Sequence, residues 1–143
     1  MGNIQVISIA EAVNTGAQYA TNMKTNGFAF VADEPESAGG KNLGPAPADY
    51  LCMALAACKA ITLRMYVQRK GWKLEIIHVK VRLVKASDGG NNTFHSEISV
   101  NGTLDEEQQK RIQHIAKACP ISKLLAKEND IVSSVVHATV STG

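Results

Sequence analysis

The chain has 143 residues, 45% apolar and 20% charged, which is enough for one folded domain that we expect to span residues 1–143. Its 15 basic and 13 acidic residues are scattered along the chain and give a net charge of +2, which argues against nucleic acid and membrane surfaces as partners. The start has no export signal and no stretch approaches about 18 apolar residues, so we expect a cytoplasmic protein without a membrane span.

Short strands are predicted at the start of the chain. Residues 4–9 and 18–23 have the composition of strands, and the second leads into Asn26 and Gly27, a pair typical of a hairpin turn. A third strand is predicted at residues 28–32. These segments predict an antiparallel meander.

A long helix is predicted next, beginning at Pro47 and running to about Arg69, because no glycine intervenes before Gly71. Its apolar positions recur at helical spacing and predict a stripe that faces the core: Leu51, Leu55, Cys58, Ile61 and Met65. Cys58 lies in the middle of this stripe. Cys52 lies about 120° away around the helix, and we assign it to packing.

The second half of the chain predicts two more strands and a second helix. Residues 77–83 and 94–100 alternate between apolar and polar, as half-buried strands do. Residues 103–106 have the form of a capping box and predict a helix that runs to about Ala118. A last strand is predicted at residues 132–140.

The chain has three cysteines, and none belongs to a Cys-x-x-Cys or Cys-x-x-His pair, so neither a disulfide scaffold nor a zinc site is expected. Pro120 favours a short helix at residues 121–127, and Cys119 would precede it, where a helix terminus favours a reactive thiolate. Cys58, in the middle of a helix, would need a nearby cation or a polar cavity to ionise. From spacing alone, ordinary buried cysteines are the stronger interpretation.

Seven short motifs follow one another along most of the chain: Asp-Glu-Pro at 33–35, Gly-Gly at 39–40, Gly-Pro-Ala-Pro at 44–47, Leu-Ala-Ala-Cys at 55–58, Thr-Leu-Arg-Met-Tyr at 62–66, Lys-Gly-Trp at 70–72 and Ala-Cys-Pro at 118–120. With the separation of the two cysteines, they resemble the OsmC/Ohr family of thiol peroxidases. The resemblance favours a function for both Cys58 and Cys119. It implies an α+β fold built as an intertwined homodimer, with antiparallel sheets around a long central helix and sites between the subunits.

The resemblance also implies a reaction. Cys58 would attack an organic hydroperoxide and become a sulfenic acid, and Cys119 would capture it as a disulfide that an external dithiol reduces. The expected partners are a second copy of the chain, the peroxide and the dithiol, and neither a cofactor nor a metal is expected. Apolar surroundings would suit an organic hydroperoxide better than hydrogen peroxide.

The chain departs from the family's organic peroxidases at an activating pair. Those proteins combine an N-terminal arginine with a glutamate after the proline that opens the helix, whereas this chain has no arginine before Arg64 and has Ala48 in the second position. The cation near Cys58 is therefore unassigned. We interpret Asp49 as a helix-start charge and Lys24 as a solvated lysine.

Other polar residues have structural interpretations that outweigh functional ones. Thr62 lies one turn after Cys58 and could bond a thiolate, but a bond to a carbonyl of the preceding turn is the stronger interpretation. Ser122 is assigned to packing or capping. Four isolated histidines are assigned to the surface or the framework: His78, His95, His114 and His137. A non-catalytic dimer that binds a small apolar ligand is the alternative function, supported by the missing arginine.

Overall fold

The computed structural model of the protein describes residues 2–16 and 18–137. In chain order these form β1 (Glu11–Val13), β2 (Thr21–Thr25), β3 (Phe28–Ala32), a 3-10 turn (Glu36–Ala38), α1 (Pro47–Lys70), β4 (Ile77–Val84), β5 (Thr93–Val100), α2 (Glu106–Lys117) and α3 (Pro120–Leu125). The strands make two antiparallel sheets in the described part of the chain, one ordered β1-β2-β3 and the other β4-β5. The predicted α+β class, with antiparallel sheets and a long helix, is confirmed.

The N-terminal hairpin forms where its turn signal predicted it. Asn26 and Gly27 both have positive φ, as a tight two-residue hairpin turn requires, and β3 has the predicted bounds. The strand predicted at residues 18–23 begins instead at Thr21, because Gln18 has a φ of 53°, which is incompatible with an extended strand.

The strand predicted at residues 4–9 is wrong. The strand that forms is β1, in which Glu11 pairs with Lys24 in an antiparallel register. Continued backwards, that register places residues 4–9 beyond the end of β2, opposite the hairpin turn, where β2 offers no backbone to pair with. The pairing therefore begins only after Ala10.

The helix α1 has the predicted start and ends one residue later than predicted, at Lys70. Gly71 follows in the left-handed conformation, with a φ of 71°, and its amide donates to the Gln68 carbonyl. The predicted core-facing stripe is wrong in part, because Leu51, Ile61 and Met65 are 46%, 55% and 65% exposed. The residues of α1 that are buried in this chain are Leu55, Lys59, Leu63, Tyr66 and Val67.

The helix α1 also corrects the expectation that no segment of the chain is long and apolar enough to span a membrane. By length and composition alone, α1 is apolar enough to cross a membrane. In the structure it packs against β4, α2 and α3, and the core helix of a globular domain meets the same criterion. Within α1, Lys59 and Arg64 donate hydrogen bonds to backbone carbonyls of neighbouring segments.

The core of the described chain lies between one face of α1, the helix α2 and the β4-β5 sheet. Leu63 and Val67 are almost fully buried and pack with Ile112 and Ala116 of α2. The sheet contributes the half-buried side chains Ile77, Ile98 and Val100. Both predicted strands are confirmed, and their register pairs Ile77 with Val100.

The helix α2 begins two residues later than the predicted capping box. Its N-cap is Asp105, whose carboxylate accepts the Gln108 amide at 2.7 Å, while the Gln108 side chain accepts the Asp105 amide at 3.0 Å. The reciprocal motif exists, but an aspartate and a glutamine form it. The short helix α3 follows, with Cys119 as its N-cap.

The strand predicted at residues 132–140 is wrong for its described part. Residues 131–137 have irregular backbone and are exposed, and residues 138–140 lie outside the described residues. Valine-rich composition predicts a strand only where a neighbouring edge completes the backbone hydrogen bonds. This segment pairs with no strand of the described chain.

Candidate functional site

The structure brings together the two cysteines that the sequence analysis singled out. Cys58 lies in the middle of α1 and Cys119 caps the start of α3, and these two helices pack against each other. The Cys58 side chain is a neighbour that acts on the pKa of the Cys119 thiol. Both are free thiols, as is Cys52. Two sulfurs 61 positions apart in sequence therefore share one site.

Cys119 is the protected member of the pair. It is fully buried, and its Sγ accepts the Ser122 amide at 3.3 Å. Burial raises the pKa of the Cys119 thiol above its ordinary value, and the contact with Cys58 raises it further; the Ser122 amide and the Lys59 charge act in the opposite direction. The helix terminus does favour the thiolate through the Ser122 amide, but desolvation outweighs it, so the pKa of Cys119 is raised and not lowered.

Cys58 is the accessible member of the pair. It is half-buried and lies, by helical spacing, on the exposed apolar face of α1 that also carries Leu51, Ile61 and Met65. A small molecule that approaches along the exposed face meets Cys58 before it meets Cys119. The two thiols therefore differ in their access from solvent.

Lys59 is a site residue that the sequence analysis missed. Its side chain is only 6% exposed, and its Nζ donates to the Ala116 carbonyl in the last turn of α2 at 2.7 Å. Its charge also acts on Cys119. The available signal was spacing, since Lys59 comes four residues after buried Leu55 and four before buried Leu63.

The other polar candidates take structural positions. Asp49 accepts the Ala46 amide at 2.9 Å, which confirms its assignment as a helix-start charge. Lys24 is exposed on β2, and Thr62 is half-buried on α1. Arg64 donates to the carbonyls of Leu74 and Glu75, which ties α1 to the segment that precedes β4. All four histidines are exposed, as predicted: His78, His95, His114 and His137.

The loop between β3 and α1 is organised by one buried carboxylate. Asp33 accepts the amides of Glu34, Lys41 and Leu43, and these bonds, that of Leu43 foremost, hold the pKa of Asp33 below its ordinary value. Gly40 is required by close backbone approach, since a Cβ there would lie 2.0 Å from the Glu34 carbonyl oxygen. This loop fixes the start of α1.

An apolar cleft of about 630 Å³ lies between the N-terminal sheet and the first turns of α1. Its lining includes Ala12, Met23, Phe30, Tyr50 and Met53. The cleft reaches α1 only as far as Ala54, one turn before Cys58. In residues 2–16 and 18–137, no group of three or more metal-ligating side chains is placed to hold a metal ion.

The comparison with protein-family models identifies one family. The family model described as OsmC-like protein matches residues 39–134, about two thirds of the chain. The comparison with curated proteins gives no match.

Solved structures show the same fold at low sequence identity. A candidate osmotic stress induced and detoxification response protein from Psychrobacter arcticus 273-4 superposes with a TM-score of 0.71 at 22% identity, over 85% of this chain and 90% of that one. The organic hydroperoxide resistance protein OsmC from Legionella pneumophila gives 0.63 at 16% identity, over 86% and 91%. The organic hydroperoxide resistance protein OhrB of Bacillus subtilis gives 0.56 at 21%, over 83% and 90%.

Proposed function

Because this chain belongs to the family of OsmC-like proteins, we propose that it is a thiol-dependent peroxidase that reduces organic hydroperoxides through Cys58 and Cys119. The observation that carries the proposal is the contact between an accessible thiol and a buried one. A two-cysteine cycle needs this asymmetry, since the peroxide must reach one sulfur and the other must wait nearby. Structural relatives named for organic hydroperoxide resistance support it.

The first step oxidises Cys58. Its thiolate attacks the terminal oxygen of the hydroperoxide, so that an S–O bond forms, the O–O bond breaks and an alkoxide leaves. The alkoxide takes a proton and departs as the alcohol. Cys119 is a suitable source, because its thiol keeps its proton and contacts the Cys58 sulfur.

The second step forms the disulfide. The Cys119 sulfur attacks the sulfenic sulfur of Cys58, so that an S–S bond forms and hydroxide leaves to become water with one solvent proton. The packing of α1 against α3 keeps the two thiols near each other for this step. An external dithiol then returns both cysteines to thiols through a mixed disulfide and is itself oxidised to a disulfide.

The working unit that we propose is a homodimer. One copy of the chain exposes 11835 Å², whereas a compact monomer of this mass exposes about 7,100 Å². Large exposed apolar residues lie on the N-terminal sheet, on the free face of α1 and in residues 131–137, for example Phe28, Ile61 and Val132. Cys58 lies on that free face, so a second copy packed there would enclose the peroxide site in apolar surroundings.

We also propose that the whole chain acts as one domain and that it works in the cytoplasm. The chain acts as a single domain, since α1 connects the N-terminal meander to the core through one continuous helix. A cycle that starts from free thiols requires a reducing compartment, which the cytoplasm provides. The dithiol that closes the cycle would come from the same compartment.

The test is turnover of cumene hydroperoxide with dithiothreitol as the reductant. We expect Cys58→Ser to abolish turnover, because the attacking sulfur is gone. When dithiothreitol is left out, we expect Cys119→Ser to stop after one equivalent of peroxide with Cys58 as a sulfenic acid, and excess peroxide to drive it on to the sulfinic acid. Cys52→Ser is the matched control and should keep the parent rate. Parent-like turnover by Cys58→Ser would refute the proposal.

The alternative is a dimeric protein that binds a small apolar ligand without chemistry. The apolar cleft favours it, because its lining stops one turn short of Cys58. N-phenyl-1-naphthylamine, a fluorescent apolar probe, tests this function. Binding that Cys58→Ser leaves unchanged, in a parent protein that consumes no hydroperoxide, would favour the alternative.

A further inference from the structure

Lys59 is a buried cation that the proposed cycle does not yet use. Its side chain is 6% exposed, and the hydrogen bond that it makes within residues 2–16 and 18–137 goes to the Ala116 carbonyl. An ammonium has three N–H donors and a full charge, and a buried charge is costly unless an opposite charge is near. A carbonyl oxygen satisfies one donor and does not neutralise the charge.

The end of α2 explains part of this position. Ala116 lies in the last turn, where backbone carbonyls lack intrahelical partners and the helix dipole favours a cation. Capping of this kind also occurs with exposed lysines, whose charge stays in water. Helix capping therefore does not explain why Lys59 is buried beside two cysteines.

The thiol pair is the candidate for the missing negative charge. Lys59 follows Cys58 on α1, about 100° around the helix, and Cys119 comes three residues after the carbonyl that Lys59 binds. In the described chain, the titratable groups that act on Cys119 are Cys58 from α1 and Lys59. The charged residues at the end of α2, His114 and Lys117, are exposed.

We propose that the Lys59 ammonium is the counter-charge of the Cys58–Cys119 pair and holds the single negative charge that the pair carries while it reacts. This inference rests on the proposed function for its place in a cycle. Reduced protein then contains one ammonium, one thiolate and one thiol, which is neutral in sum.

The cysteine pair keeps one negative charge through the first step. When Cys58 becomes a sulfenic acid and the Cys119 proton leaves with the alcohol, the negative charge passes to Cys119, which Lys59 also faces. Only disulfide formation removes it, as hydroxide. Within the described residues, Lys59 then keeps its hydrogen bond to the Ala116 carbonyl and has lost the negative charge of the pair, so the oxidised state should be the one in which its ammonium is least stable.

The test uses alkylation of Cys58 by iodoacetamide, followed by peptide mass mapping, in the full-length reduced protein with the Cys52→Ser background. We expect Lys59→Met to move the alkylation profile of Cys58 to higher pH by one unit or more, which is about a tenfold slower reaction at neutral pH. Lys59→Arg keeps the charge and should keep the parent profile. An unchanged profile in Lys59→Met would overturn the inference.

This measurement contains no peroxide, so its outcome is independent of the proposed function. A parent protein that fails to consume hydroperoxide, combined with a shifted profile in Lys59→Met, would refute the peroxidase and support the counter-charge. A parent protein that consumes hydroperoxide, combined with an unchanged profile in Lys59→Met, would support the peroxidase and refute the counter-charge.

A second measurement keeps the Lys59 side chain and compares two redox forms of the protein. In protein with isotope-labelled lysines, the ammonium resonance of Lys59, assigned with Lys59→Arg, is titrated in the reduced form and in the Cys58–Cys119 disulfide form. We expect Lys59 to lose its proton at lower pH in the disulfide form, while the exposed lysines titrate alike in both. Identical titration of Lys59 in the two forms would overturn the inference.

Discussion

The two faces of α1 carry similar apolar residues, but one face is buried and the other is exposed. One face, with Leu63 and Val67, is almost completely buried against α2 and the β4-β5 sheet, whereas the other, with Ile61 and Met65, is more than half exposed. The N-terminal sheet continues the exposed side, since Phe28 and Phe30 are 63% and 45% exposed. The chain thus completes one half of its core alone and leaves the other half open, and Cys58 lies half-buried on the open side.

The largest effect that we expect is on the closed face. Leu63→Ala removes a side chain that is 1% exposed and should lower the free energy of unfolding by about 2–5 kcal/mol, because it leaves a cavity in a packed core. Urea unfolding followed by circular dichroism measures it. The matched variant on the open face is Met65→Ala, whose cost should fall below that of Leu63→Ala when the protein is dilute. Equal costs would contradict the division into two faces.

The open face should respond through association. Ile61→Glu puts a charge on the exposed apolar face and should turn the proposed dimer into a monomer, with a dissociation constant raised at least about a hundredfold, because burying an unpaired charge costs several kcal/mol. Sedimentation equilibrium over a range of concentrations measures it. Gln68→Glu, an exposed polar position of the same helix, is the control and should remain dimeric. A dimeric Ile61→Glu would show that this face is not the interface.

The smallest effect that we expect concerns the loop between β3 and α1. The pKa of Asp33 is lowered in the folded protein, so its carboxylate stabilises the fold above the unfolded pKa near 3.8, and this contribution disappears as the pH falls through the folded value. Asp33→Asn should therefore lower the melting temperature at neutral pH by less than Leu63→Ala does. Its melting curve should approach that of the parent in acid.

Glu36→Gln is the control for that experiment, because Glu36 is exposed at the start of the 3-10 turn. Its melting temperature should match the parent at both neutral and acidic pH. A constant difference between Asp33→Asn and the parent from neutral to acidic pH would mean that the charge of Asp33 does not stabilise the loop.

Elements with strong local signals could be predicted from the sequence. The start of α1 follows from Pro47 and its end from Gly71, and the hairpin before β3 follows from Asn26 and Gly27. The strands β4 and β5 follow from alternation, because each has one face on the core. Strands that depend on a distant partner could not be predicted, and residues 4–9 and 131–137 remain unpaired in the described chain.

The site was predictable only in part. Helical spacing did not identify the buried face of α1, because apolar residues occur around its whole circumference. The choice of Cys58 and Cys119 came from the family resemblance, and their contact is a tertiary fact that spacing does not contain. Lys59 was missed because a lysine in an apolar helix is ordinarily expected to reach the solvent, and here it turns inward to α2.

The central claim is that Cys58 and Cys119 form one redox pair. The most direct measurement is the intact mass and peptide map of the reduced protein after one equivalent of cumene hydroperoxide. The claim predicts a loss of about two mass units, located in a disulfide between Cys58 and Cys119. An unchanged mass with three free thiols, or a disulfide that involves Cys52, would contradict it.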